Sequence, residues 1–447
     1  MSNDAFWTGI RGFLIDAPTL GGLRDVRDGA IIVDGDGLIV ERGNYEDLLR
    51  RPRSLPVRWL HSRWMLILPG LIDIHTHIPQ YPAVARGSAE LLPWLKEHIF
   101  PLEREFTGAK ARGEVGAYFQ EVARHGTTTV MAYTAIYEDS CDAAFRAAEK
   151  TGIRAILGKV MMDTGSYGQL APEKIMSQSL AESERLCKKW HGANNGLLEY
   201  AFSPRFALSC TPELMEEAAL MAKKHGAWIQ THLSENLGEL EAVRELYPKA
   251  LDYTDVYDRC GMLTPKTVFG HCIHLSERER DRLAEARSIA AHCPTANLFL
   301  ASGIMPLDKM QNAGVPIGLG SDVAAGPELN MWQVMRCALE SQKARSFYEK
   351  DTRLPSPASV FHLATQGAAD AMGKGEMIGS LDIGKDADIT VVDIAAMLPY
   401  RASGRSVDDL SAEDVLNLCI HRGGPHSVVE TFVRGKSVWR TVQPELF

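Results

Sequence analysis

Apolar and polar positions follow two different rhythms along this chain. From about Leu66 to about Met377, short apolar runs recur: MLILPGLIDIH at 65–75, GTTTVMAYT at 126–134, RAILGKVMM at 154–162, LEYAFSPRF at 198–206, AWIQTHLS at 227–234, TVFGHCIH at 267–274, SIAAHCPT at 288–295 and VPIGLGSDV at 315–323. Between them lie stretches with helical spacing, such as PELMEEAALMAKKHG at 212–226 and SERERDRLAEA at 276–286. Continuous apolar runs this short read as strands buried on both faces, and their alternation with helices reads as parallel strands joined by helical crossovers. Eight such runs are the number that closes a (β/α)8 barrel of the TIM type. An open doubly wound sheet would show the same alternation, but no G-x-G-x-x-G follows the first run.

The two ends have another texture. Ala30 to Val40, AIIVDGDGLIV, is two β-branched runs around a Gly/Asp turn, which signals a hairpin. DADITVVDI at 386–394 and VVETFVRGKSVWR at 428–440 also read as strands, the second turning at Arg434-Gly435-Lys436. The expected α/β architecture is therefore a smaller β-sandwich domain built from both chain ends, residues 1–66 and 381–447, with a metal-dependent barrel of residues 67–380 inserted between them.

Composition narrows the function classes. The 447 residues are 45% hydrophobic and 23% charged, ordinary for a globular chain long enough for two cores. A formal net charge of −9 argues against a nucleic-acid partner and leaves a small purine or pyrimidine open. No uninterrupted run of about 18 apolar residues suggests a membrane span. The opening MSNDAFWTGIRG shows no basic-then-apolar leader, so a cytoplasmic location is expected. The eight cysteines are scattered without a C-x-x-C pair and are expected to be free, mostly buried thiols.

The strongest chemical signal is Asp73-Ile74-His75-Thr76-His77. Residues two apart on a strand share a face, so His75 and His77 aim together into whatever that strand encloses. Two imidazoles so placed make half of a zinc site, and the apolar flanks argue against an exposed strand. His232 ends another run with Glu235 three residues on, His271 ends a third, and Ser321-Asp322 a fourth. Barrel enzymes gather their active sites at the carboxyl ends of strands. His75, His77, His232 and Asp322 would there surround one metal ion and leave a position for water. Each residue alone has a bland reading, a hydrogen-bonded strand-end histidine or a Ser-Asp turn, but four strand ends with suitable residues are hard to explain that way.

The segments PGLIDIHTH, HLSE, the histidine at 271 and GSD resemble the amidohydrolase superfamily over nearly the whole chain, and within it the guanine deaminase family most closely. The resemblance is carried by HTHIPQY at 75–81, LLPWLKEHIFPLE at 91–103, GTTTV at 126–130, GKVMMD at 158–163, SPRFALSC at 203–210, THLSEN at 231–236, YTDVYD at 253–258, HCPTANLFLASG at 292–303 and IGLGSDVAAG at 317–326. The H-x-H element alone marks only the superfamily, whereas PQY at 79–81, SPRF at 203–206 and HLSE at 232–235 are more specific. The resemblance implies hydrolytic deamination of guanine to xanthine and ammonia by a homodimer carrying one zinc ion (Zn2+) per chain. It implies His75, His77, His232 and Asp322 as ligands, Glu235 as proton shuttle, His271 beside the metal, and Gln80, Arg205 and Phe206 around the purine. One departure, Pro82-Ala83-Val84-Ala85-Arg86, adds a basic residue near the expected pocket mouth. It keeps a related aminopurine or pterin, such as 8-oxoguanine or isoxanthopterin, open as substrate.

These residue types also make chemical sense by themselves. Zinc lowers the pKa of its water from about 15.7 to about 7, and Asp322 could accept a proton from that water. A carboxyl group at Glu235 could move protons to a ring nitrogen and to the departing amine, and His271 could orient the nucleophile. Arginine offers two donors to adjacent acceptors such as guanine O6 and N7, Gln80 offers one donor and one acceptor, and Phe206 could stack on the ring or fill the core. Lys159 raises a rival, since binuclear cyclic-amide hydrolases bridge two metals with a carboxylated strand-end lysine; the H-x-x-E element favours one metal, and Lys159 reads as structural. A non-catalytic relative of the fold should have lost ligands. His125, His225, His274 and His292 read as ordinary residues, and Trp94 and Trp332 as pocket wall or core.

Overall fold

The computed structural model describes residues 6–87, 90–167, 170–399 and 409–441; the first five residues of the opening segment, read above for a leader, lie outside the described residues. The amino-terminal end supplies β1 (Trp7–Thr19), β2 (Gly22–Val33), β3 (Ile39–Asn44), β4 (Val57–Leu60) and β5 (Met65–Pro69). The central segment supplies β6 (Leu71–His77), β7 (Thr127–Tyr133), β8 (Arg154–Gly158), β9 (Val160–Met161), β10 (Leu198–Pro204), β11 (Trp228–Leu233), β12 (Thr267–His271), β13 (Ile289–His292) and β14 (Ile317–Leu319). The carboxyl-terminal end adds β15 (Ile389–Asp393), β16 (Val428–Val433) and β17 (Lys436–Arg440).

Each of the eight central apolar runs contributes one strand to a parallel sheet in the order β6-β7-β8-β10-β11-β12-β13-β14, with the short β9 also paired to β10. Every residue of β6, β7, β8, β12 and β13 is buried, as strands covered by helices outside and side chains inside must be. The crossover helices carry local start and stop signals. Thr211 caps Pro212–His225, with proline in the first turn and Gly226 left-handed (φ 65°) at its end. Ser276 and Glu279 cap Glu277–Ala286 reciprocally.

The two outermost strands of this sheet, β6 and β14, complete a nearly closed barrel through their carboxyl ends. The Asp322 amide donates to the His75 carbonyl at 2.8 Å and the His77 amide to the Val323 carbonyl at 3.2 Å. Beside them the buried Asp73 carboxylate accepts from the Ser321 hydroxyl at 2.5 Å, the Ser321 amide at 3.0 Å and the His75 amide at 3.2 Å. The seam is therefore tightest where His75, His77 and Asp322 emerge.

Both chain ends meet in one mixed sheet of order β17-β16-β15-β5-β1-β2-β3, with β4 on β1. Its own apolar core includes Ile10, Leu14, Ile31, Ile67, Ile389 and Phe432. The hairpin read from Ala30–Val40 is the antiparallel β2–β3 pair, and the β16–β17 turn has Arg434 and Gly435 both left-handed, at φ 47° and 69°, which suits a tight hairpin. The boundary expected at 66/67 falls inside β5, which belongs to this sheet; the barrel begins at Leu71. Gly70 lets the chain pass between the two, since a Cβ there would lie 2.1 Å from Thr128 Oγ1. Arg154, buried at the amino end of β8, donates to Asp386 at 2.7 Å and Asp388 at 3.1 Å, fastening this sheet to the end of the barrel away from the histidines. All eight cysteines are free and all but Cys337 are buried. Among the described residues no helix is long and apolar enough to cross a membrane.

The seam yields a stability prediction. Asp73→Ala strands the donors of Ser321 and His75 in a dry site, and should cost about 3 kcal/mol. In metal-free protein this is read as a lower urea midpoint; an unchanged midpoint would show that the seam does not depend on Asp73.

Candidate active site

His75 and His77 come from alternate positions of β6, His232 from the end of β11 and Asp322 from the residues after β14; all four are largely buried. One ligand atom from each lies within 4.8 Å of the others. Asp322 Oδ1 is 3.4 Å from His75 Nε2 and 3.3 Å from His77 Nε2, and His232 Nε2 is 3.2 Å from His77 Nε2. His232 Nδ1 lies 2.6 Å from the Arg205 carbonyl, which can only accept, so Nδ1 carries the proton and Nε2 faces the cluster with its lone pair. Both ring nitrogens of His75 and Nδ1 of His77 are buried without a hydrogen-bond partner among the described residues. Burial holds His77 down to about 4 and His232 well below the usual imidazole range, so both are neutral at pH 7. Burial opposes ionisation of Asp322, but the imidazoles of His75 and His77 facing it outweigh that and keep the carboxylate well below its usual range. Three imidazoles and one carboxylate are a donor set that fits zinc, with His75, His77, His232 and Asp322 as the residues able to hold it.

Several neighbours hold these side chains in place. The Tyr133 ring stacks on His77 with centroids 4.5 Å apart. A Cβ on Gly270 would lie 2.6 Å from His75 Cε1, and one on Gly320 2.7 Å from His75 Cβ, so two glycines at the ends of β12 and β14 leave room for that histidine. Ser234, His271, Cys272 and Asp322 all have positive φ (51°, 69°, 51° and 49°), a strained backbone for non-glycine residues that gathers here at the strand ends.

Glu235 and His271 stand beside the cluster. His271 Nε2 is 3.3 Å from Glu235 Oε2 and 3.8 Å from Asp322 Oδ2. Its Nδ1 is 2.9 Å from Asn297 Oδ1, so the amide oxygen holds a proton on Nδ1. Ser302 donates to Glu235 Oε1 at 3.1 Å, and the Ser302 carbonyl is held by His274 Nε2 at 2.8 Å. Burial first, then the charges of Asp322 and Glu239, push the Glu235 carboxyl well above the usual range and favour its protonated form. Glu239 itself accepts from the Glu235 and Asn236 amides and from Tyr253.

Gln80, Arg205 and Phe206 line the same pocket as His77, His232, Glu235, His271 and Asp322. Gln80 lies on the short helical turn Ile78–Ala83 directly after β6, and Arg205 and Phe206 follow β10. The segment 91–105, with a π-helical turn at Leu95–Ile99, supplies Leu91, Trp94 and Leu95 to the pocket wall. Its Glu103 was not singled out from the sequence, yet it accepts from Arg205 Nη1 at 2.5 Å and Gln80 Nε2 at 2.9 Å. Followed by Arg104 and Glu105, it reads in the sequence as one more charge of a solvated helix face, so no local pattern marked it. Asn297, inside the short helix Pro294–Phe299, and Ser302, just beyond it, were likewise missed, because a single small polar residue carries no pattern of its own.

Other expected positions lie elsewhere. Lys159 donates to the Ile136 carbonyl at 3.2 Å and Ser179 at 3.0 Å and pairs with Glu182 at 3.4 Å, on the helix Pro172–Trp190 rather than in the histidine cluster. Arg86 is exposed and lines no part of the pocket, although its carbonyl accepts from Trp94 Nε1 at 2.8 Å. Trp94 is pocket wall, while Trp332 is core, stacked on Phe361. His292 is buried at the end of β13 with neither ring nitrogen bonded among the described residues.

Comparison with known proteins places this geometry among relatives. A model of the amidohydrolase family matches residues 66–438. Guanine deaminase of Escherichia coli (strain K12) is 35% identical over 453 residues, covering 98% of this chain and 99% of its own. Guanine deaminase of Rattus norvegicus is 35% identical over 432 residues, 92% of each chain. The crystal structure of guanine deaminase from C. acetobutylicum, with guanine bound in its active site, superimposes with a TM-score of 0.88 at 28% identity, covering 97% of this chain and 100% of that one.

Two substitutions test the metal reading. Gly270→Ala should push the His75 imidazole aside and weaken zinc binding at least about tenfold in competition with a chromophoric chelator; unchanged affinity would mean that His75 is not a ligand. Lys159→Met should leave metal content at one equivalent per chain, whereas loss of a second equivalent would restore the binuclear alternative.

Proposed function

The chain belongs to the amidohydrolase family, and on that premise we propose that it hydrolyses guanine to xanthine and ammonia. The observation that carries this reading is the meeting at one site of a three-histidine, one-aspartate cluster, the buried Glu235 and the donor groups of Arg205 and Gln80. Zinc held by His75, His77, His232 and Asp322 would supply Lewis-acid activation of water.

Guanine plus water gives xanthine plus ammonia, so hydroxide must add to the carbon bearing the 2-amino group and two protons must move. Glu235 begins protonated and gives its proton to the neighbouring ring nitrogen, which keeps it in xanthine. Asp322, ionised, accepts a proton from the attacking water, and His271, with Nε2 near both carboxyl groups, orients that exchange. Glu235, ionised by that first transfer, takes up the proton held by Asp322 and passes it to the amine, the C–N bond breaks and ammonia leaves. The added hydroxyl gives its remaining proton to Glu235 as it becomes the carbonyl of xanthine, which restores both carboxyl groups. Proton transfer of this kind is worth about 10²–10⁴ in rate.

Arg205 has donors only, and one is taken by Glu103. Its remaining N–H groups suit the O6 and N7 acceptors of guanine, with Gln80 on the same edge and Phe206 against the ring. Adenine brings an amino group to the place of O6 and leaves that donor unmet. Zinc as the ion, a homodimer and a cytoplasmic location belong to the same reading, checked by elemental analysis, light scattering and fractionation.

Ammonia release should therefore be seen with guanine, disappear on metal chelation and return with zinc. Adenine should be at least about 10²-fold poorer in kcat/KM; comparable turnover of adenine would refute the substrate assignment. Glu235→Gln should keep its metal and bind guanine while kcat falls at least about 10²-fold, and near-normal kcat would remove Glu235 from the proton path.

A further inference from the structure

Glu103 is a buried carboxylate that the reaction does not consume, yet it touches both residues assigned to the purine edge. It lies in the last turn of the helix Phe100–Glu105 and is 1% exposed. Its two oxygens are divided: Oε2 accepts from Arg205 Nη1 at 2.5 Å, and Oε1 accepts from Gln80 Nε2 at 2.9 Å. Gln80 has a second constraint on its other side, where Oε1 accepts from the Ala324 amide at 3.3 Å. The same helix also presents the Phe100 ring to the guanidinium of Arg205, 5.0 Å from centroid to Cζ.

A glutamine amide is nearly symmetric in shape, and half a turn about its last bond exchanges donor for acceptor. At Gln80 that rotation would face its carbonyl oxygen against the Glu103 carboxylate and its NH2 against the Ala324 N–H. Both contacts would become repulsive in a dry site, so the polarity of the amide is locked. Arg205 cannot turn without stripping the buried Glu103 of its counter-charge.

We propose that Glu103 is a positioning residue that sets substrate preference. It holds Arg205 and Gln80 as donors towards the pocket, so that the wall takes a ring edge bearing a carbonyl and rejects one bearing an amino group. This inference rests on reading the pocket as a guanine site, and adds to it the residue that decides the polarity of that site without touching the substrate.

Hypoxanthine and adenine are suitable probes, because they differ in carbonyl against amino at the same ring position and neither carries the 2-amino group that is hydrolysed. Calorimetric dissociation constants for both are measured on the zinc-loaded wild type, Glu103→Gln and Glu103→Asp. The wild type should prefer hypoxanthine by at least about a hundredfold. Glu103→Gln should lower that ratio at least about tenfold by weakening hypoxanthine, whereas a merely structural role would weaken both purines alike and leave the ratio in place. Glu103→Asp keeps a charge beside Arg205 but withdraws it by one methylene; it should lower the ratio too, and serves if the glutamine variant does not fold. In a Gln80→Ala/Arg205→Ala background, adding Glu103→Gln should change the ratio less than about twofold, since both of its contacts are gone. A folded Glu103 variant with the wild-type ratio, in an enzyme that does turn over guanine, overturns the proposal and leaves the function standing. A wild type that neither deaminates guanine nor prefers hypoxanthine overturns the function and this proposal with it.

Discussion

The site depends on the seam between the first and last strands of the barrel. Asp73 and Ser321 are 248 positions apart in the chain, yet they bond directly, and the Asp322 amide donates to the His75 carbonyl. That seam sets a carboxylate opposite two imidazoles that a single strand already holds on one face. Neither half is a metal site alone. A sheet left open at this edge would keep the histidine pair and lose Asp322 from it, so closure of the barrel and assembly of the cluster are one event.

Once the ligands are gathered in a dry space, burial acts on each group according to its neighbours. Asp322 lies among imidazoles and is pushed towards its ionised form, whereas Glu235 lies near Asp322 and Glu239 and is pushed towards its protonated one. Two carboxyl groups in one pocket are thus driven in opposite directions, which is the condition for one to act as an acceptor and the other as a donor. The bonds from Asn297 to His271 and from the Arg205 carbonyl to His232 extend this order to the histidines by choosing which ring nitrogen carries hydrogen.

The other wall is built by a different part of the chain. The segment between β6 and the helix Gly108–Arg124 leaves the barrel rim, supplies Gln80 and then Trp94, and returns with Glu103 beneath Arg205. The candidate metal ligands sit on or directly after strands of the barrel. Of the groups proposed to choose the substrate, Gln80 sits on this excursion and Arg205 follows β10, and Glu103 bonds to both.

The eight parallel strands were legible because a strand buried on both faces must be apolar throughout, and each of the eight runs contributes one strand. The histidine pair on β6 was legible for an equally local reason, the two-residue period of a strand. Glu235, His271 and Asp322 were legible as polar residues ending apolar runs, which is where a barrel opens. What remained out of reach are relations between segments. Glu103 declares itself only when its two partners, 23 and 102 positions away, converge on its oxygens. Gly270 and Gly320 read as ordinary small residues until the His75 ring is packed against them. Lys159, at a strand end like the ligands, turns to Glu182 on a neighbouring helix, and no local pattern decides between those two directions. Period, burial and strand-end chemistry are properties of neighbouring residues, and the sequence by itself determined them. Which carboxylate is pushed towards its protonated form, which way an amide faces and where Lys159 turns depend on charges and donors brought together through space, and only the tertiary structure decided them.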